Sequence, residues 1–163
     1  METIRTTEIG QHVGQRVQLR GWVHNLRLLG GVNFLVLRDG WGTAQAVTQD
    51  EAALAPLTQA GLGQESVIAL EGLVVAEPQA PGGVELHDLT VTVVTPVSEP
   101  PPIPINKKQI KAALPTLLDH AVVANRHPAR RAVFRLAAGV MAGFRATLNA
   151  NSHEVVADSA DTE

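Results

Sequence analysis

The sequence predicts a mainly β fold: a five-stranded Greek-key barrel over residues 1–98, a Pro-rich linker over 99–127 and a C-terminal helix within 128–163. Three observations predict it. Short segments rich in β-forming residues alternate with turn-forming ones through the first part of the chain. One stretch of helical composition interrupts them after the third segment. Five prolines then crowd into Pro96–Pro104, and beyond Pro128 apolar residues recur at helical spacing.

The elements follow in order. Residues Arg16–Leu29 alternate at first, with Val17, Leu19, Gly21 and Val23 on one face and Gln18, Arg20, Trp22 and His24 on the other. Gly30-Gly31 ends the pattern in a turn. Val32–Asp39 reads as a second strand, the DGWG turn at 39–42 follows, and Gly42–Thr48 makes a third. Asp50–Leu62 has helical composition, with acids at its start, Gly61 and Gly63 at its end and Pro56 keeping it short. Ser66–Glu77 and Val84–Val94 are two further strands joined by the turn residues of 78–83. Three strands, a helix and two strands is the order of the oligonucleotide-binding (OB) fold. Residues 105–120 read as an ordered hinge with a helical turn. Pro128 suits a helix N-terminus, and Val133, Leu136, Ala137, Val140, Met141, Phe144 and Leu148 form a stripe to about Ala150 that needs a partner surface. The polar, acidic end after it is expected to fray.

Composition narrows the function. Apolar residues make up 45% of the 163, enough for a normal core. No apolar run approaches the roughly 18–20 residues that span a bilayer, and the N-terminus lacks the pattern of a signal peptide. Cysteine is absent, which excludes disulfides and thiolate metal sites. The histidines show no metal-ligand spacing, and no phosphate loop or nucleophile motif is present. These features predict a cytoplasmic protein with no membrane association. Residues 1–98 hold five Arg and ten acids, so the barrel is unsuited to indiscriminate phosphate binding and should read bases locally.

Barrels of this type bind single strands on the outer face of strands two and three. Phe34, Val36 and Arg38 share one face of the second strand, and Thr43, Gln45 and Val47 share one face of the third. Pairing across the DGWG turn brings Phe34 near Gln45. A ring that stacks on a base, beside an amide that both donates and accepts, has the chemistry of a base reader. Trp22 and Trp41 are expected to pack at the rim. Arg126, Arg130, Arg131 and Arg135 read as a solvated helix face.

GWVHNLRLLGGVNFLVLRDGWGTAQAV at 21–47 closely resembles the anticodon-binding barrel of aspartyl-tRNA synthetases of the archaeal and bacterial type. The resemblance continues through APGGVEL at 80–86, PPIPINKK at 101–108 and the segment 117–148, and so covers nearly the whole chain. It implies that Phe34 stacks on the central anticodon uridine, that Gln45 hydrogen-bonds it, and that Arg27 contacts the anticodon nucleotides and their backbone. Glu85 would be a further base contact. His24 and Pro78 match positions that relax the choice at the third anticodon base, so the implied partners are tRNA-Asp and tRNA-Asn.

The departures from that family lie in the second half. The first catalytic motif, which builds the family's dimer interface, retains only its Glu-Val pair, at Glu154-Val155. The segments that hold ATP, Mg and aspartate have no counterpart. The resemblance therefore implies a truncated anticodon-binding module with no cofactor and no aminoacylation activity of its own. Helix 128–148 would meet a dimer partner or a catalytic domain. The alternative reading is a degenerate synthetase paralogue that acts as an interaction or regulatory module through that helix.

Overall fold

The computed structural model describes residues 2–58 and 63–158. Five strands, β1 (Arg16–Leu28), β2 (Asn33–Arg38), β3 (Thr43–Thr48), β4 (Val67–Ala76) and β5 (Val84–Thr95), close into a barrel in the order β1-β2-β3-β5-β4. Neighbours are antiparallel except β3 and β5, which run parallel where Ala46 pairs with Leu86. The expected OB barrel is present, with its strands in the expected order. Helix α1 (Ala55–Thr58) lies between β3 and β4 and continues a 3₁₀ turn, Glu51–Leu54, capped by the Asp50 side chain on the Ala52 N–H. The rest of the predicted helix, 59–62 with Gly61, lies outside the described residues.

The inner face of the barrel is apolar. Val17, Leu19, Leu35, Leu37, Leu70 and Leu86 are almost wholly buried, and Leu54 and Leu57 from the connecting helical segment join their cluster. Burying a side chain of this size stabilises the fold by about 1.5–3 kcal/mol. Two glycines let the strands cross closely at the barrel corners. A Cβ on Gly21 would run into the Arg38 carbonyl, and one on Gly72 would lie 2.8 Å from the His87 carbonyl oxygen.

β1 departs from simple alternation. Val23 pairs with Leu37 and Asn25 with Val36, so His24 is an extra residue, a β-bulge. The bulge resets the phase. Leu26, opposite Leu35, packs against the core, while Asn25 and Arg27 go to the outer face. Unbroken alternation from Val23 would have put Asn25 and Arg27 inside.

Two polar assemblies brace the barrel. Arg38 on β2 is buried and forms a 2.8 Å ion pair with buried Glu65 ahead of β4, with its guanidinium 5.4 Å from the centre of the Trp22 ring. Asp39, at the β2–β3 turn, accepts from Thr6 N–H at 2.8 Å, Thr6 Oγ1 at 2.7 Å, Trp41 N–H at 2.7 Å and Gly42 N–H at 2.8 Å. This carboxylate clips the N-terminal segment onto the turn. Trp41 is 56% exposed, so it is not the packing residue expected; the Arg5 guanidinium covers one face of its ring, 4.4 Å from the centre.

Contacts divide the chain into two compact units, Met1–Pro101 and Pro102–Glu163. The second contains α2 (Leu114–Asp119), α3 (Ala121–Ala124) and the long α4 (Pro128–Asp158). Ile103, Ile105 and Ala124 form a small buried cluster with Ile110, Leu117 and Val123 against it. Buried His127 starts α4: its Nε2 donates to the Lys107 carbonyl at 2.9 Å, and its Nδ1 accepts from the Ala129 N–H at 3.2 Å. Pro128 follows as the first helical residue, as predicted. The helix runs past the expected end near Ala150 to Asp158, because 151–158 contains no proline or glycine to stop it. The remaining 159–163 of the expected frayed end lie outside the described residues. No helix among the described residues is long and apolar enough to cross a membrane.

Candidate nucleic-acid interface

The outer face of β2 and β3 is built by the same pleat that fills the core. With Leu35 and Leu37 inside, Phe34 and Val36 must face out; with Ala44 and Ala46 inside, Gln45 and Val47 must face out. Phe34 lies opposite Val47, and Gln45 opposite Val36. Phe34 and Gln45 are thus diagonal neighbours on one face, within reach of a single planar ligand. Phe34 and Gln45 are each half-buried.

β1 and β5 extend this face on either side. Arg27, put outside by the bulge, lies opposite Phe34 and is exposed. From β5, the parallel pairing of Ala46 with Leu86 brings Glu85 beside Gln45. Glu85 Oε2 accepts from Gln45 Nε2 at 2.9 Å, and Glu85 Oε1 accepts from His87 Nε2 at 2.8 Å. Glu85 is itself 7% exposed, whereas the His87 side chain is 41% exposed. A shallow cleft of about 460 Å³ borders the face, lined by His87 and Val47 together with Arg16, Thr48, Asp50 and Asp88.

Of the residues singled out in the sequence, the structure gathers Arg27, Phe34, Gln45 and Glu85 on four neighbouring strands. His24 is half-buried at the bulge, farther along β1, and Pro78 is exposed in the β4–β5 turn. His87 was missed. Its spacing of two from Glu85 on a strand was the available signal, since i and i+2 share a face. Together Phe34, Gln45 and Arg27 place an aromatic ring, an amide and a cation on one outer face of the barrel.

Residues 17–94 match the model of the tRNA anticodon type of OB-fold nucleic acid binding domain. The chain is 37% identical over 142 residues to the aspartate--tRNA(Asp/Asn) ligase of Thermus thermophilus, covering 87% of this chain and 32% of that ligase. Against the ligase of the same name from Deinococcus radiodurans it is 39% identical over 143 residues, 88% of this chain and 31% of the relative. Among solved structures, the asparaginyl-tRNA synthetase of Pyrococcus horikoshii superposes with a TM-score of 0.76 at 32% identity, over 93% of this chain and 35% of that one. The chain spans about a third of the length of the curated relatives it matches. The barrel is an anticodon-binding OB-fold domain of the kind carried by aspartyl- and asparaginyl-tRNA synthetases, and the chain belongs with the anticodon-binding region of the aspartate--tRNA(Asp/Asn) ligases.

Proposed function

We propose that this chain binds the anticodon loop of tRNA-Asp and tRNA-Asn, as the anticodon-reading part of an aspartate--tRNA(Asp/Asn) ligase. The observation that carries the reading is the Gln45 amide, held by Glu85 on the face that also presents Phe34. An unpaired base laid on the Phe34 ring gains about 1–3 kcal/mol from stacking. One N–H of Gln45 is committed to Glu85, which leaves the second N–H and the carbonyl for the edge of that base. Arg27, exposed and opposite Phe34, is suited to a phosphate or a neighbouring base. His24 and Pro78 carry the proposed tolerance at the third anticodon position, which would admit both tRNAs. No residue of the barrel is assigned a catalytic role.

The test is equilibrium binding to tRNA-Asp and tRNA-Asn transcripts and to versions with an altered central anticodon base. Phe34→Ala is expected to weaken binding to both tRNAs by about tenfold or more. If that substitution leaves affinity and anticodon preference untouched, the assignment is wrong.

A further inference from the structure

Glu85 and His87 do more than line the site. A carboxylate accepts hydrogen bonds and cannot donate them. Glu85 can therefore hold Gln45 in one orientation of its amide, with the nitrogen toward β5 and the carbonyl turned away. One bond would leave the carboxylate free to swing about its soft terminal torsion. The second, from His87 Nε2 to the other oxygen, pins it. Glu85 is buried, whereas the His87 side chain that holds it reaches solvent.

From this we infer that Glu85 and His87 are positioning residues: they fix the amide orientation of Gln45 and so set which base edge the site accepts. The inference rests on the reading of Phe34 and Gln45 as base contacts. Its chemistry is the order of donors and acceptors. A uracil edge offers acceptor, donor, acceptor, whereas a cytosine edge offers donor, acceptor, acceptor. With the base held in plane by stacking on Phe34, a clamped carbonyl meets the N3–H of uracil favourably and the N3 lone pair of cytosine unfavourably. An unclamped amide would flip and accept either base. Selection of uridine at the central anticodon position thus resides in the carboxylate and imidazole behind the reader; Glu85 acts through Gln45 and not as the direct base contact that the resemblance implies.

The experiment measures the affinity of the full chain for two anticodon stem-loop RNAs that differ in having uridine or cytidine at the central anticodon base. The unmodified protein should prefer uridine. Glu85→Gln, which can donate as well as accept, and His87→Ala should each lower the uridine-over-cytidine ratio by about tenfold. His87→Gln, whose amide nitrogen reaches the place of Nε2, should restore it. A ratio unchanged in both Glu85→Gln and His87→Ala, with uridine still preferred and Phe34→Ala still harmful, overturns the positioning role and leaves the base-contact reading standing. A protein that shows no preference for uridine, or that is indifferent to Phe34→Ala, overturns that reading and this inference with it.

Discussion

The barrel and helix α4 use similar apolar patterning to opposite ends. Leu19, Leu35 and Leu37 recur along their strands and are 0% exposed, whereas Leu136 and Val140 recur along the helix and are each 71% exposed. A strand in a closed sheet covers its apolar face with the other strands of the same sheet. A lone helix has no such recourse, because its stripe curves away from its own backbone. The comparison teaches that periodicity specifies where an apolar face lies and says nothing of what covers it.

The largest contrast should come from truncating one leucine in each region. Leu35→Ala is expected to cost about 2–5 kcal/mol in urea unfolding followed by circular dichroism. Leu136→Ala is expected to change stability by less than about 0.5 kcal/mol. Equal losses at the two sites would break the comparison. A glycine pair sharpens it through a change of sign. Gly21→Ala should destabilise the barrel by about 1–3 kcal/mol, because the new Cβ meets the Arg38 carbonyl.

A smaller effect should depend on pH and belong to the barrel alone. Burial raises the pKa of Asp39, and the hydrogen bonds from Thr6 N–H, Gly42 N–H, the Thr6 hydroxyl and Trp41 N–H more than offset this, holding it below its ordinary value of 3.8. The stability that the ionised group contributes is therefore full above that value and is lost as pH falls through the lower folded-state value. Asp39→Asn should cost roughly 1–2 kcal/mol at neutral pH, with the gap to the unmodified protein closing in acid. Smallest of all, Gly139→Ala on α4, where a Cβ meets nothing within 4 Å, should strengthen the helix by about 0.5–1 kcal/mol and raise its far-ultraviolet signal.

Much of the barrel was legible because its information is local. Alternation in β1 up to Val23 and in β2 and β3, together with the Gly30-Gly31 and DGWG turns, was sufficient for three strands and for the faces of Phe34 and Gln45. What escaped depends on contacts between distant parts of the chain. The bond from Gln45 to Glu85 spans 40 residues and exists because β3 and β5 close the barrel. The partnership of Arg38 with Glu65, across 27 residues, has no mark in either local segment. The face taken by Arg27 depends on a bulge that arises when β1 pairs with β4 along its first part and with β2 along its second. The end of α4 was misplaced for the opposite reason: polar composition was read as a stop, although no residue there breaks a helix.

The bulge at His24 also bears on how this chain can drift in length. Without His24, Asn25 would follow Val23 in plain alternation, with Leu26 still inward and Arg27 still on the outer face. Removing one residue from the regular stretch 17–22 would instead reverse every side chain on one side of the gap. The same deletion in the exposed turn at 78–83 would reverse no side chain on either flanking strand, provided the pairing of Ala76 with Val84 holds. Gaps among homologous sequences should therefore gather in the exposed turns and at the bulge, and avoid the regular stretches of the strands.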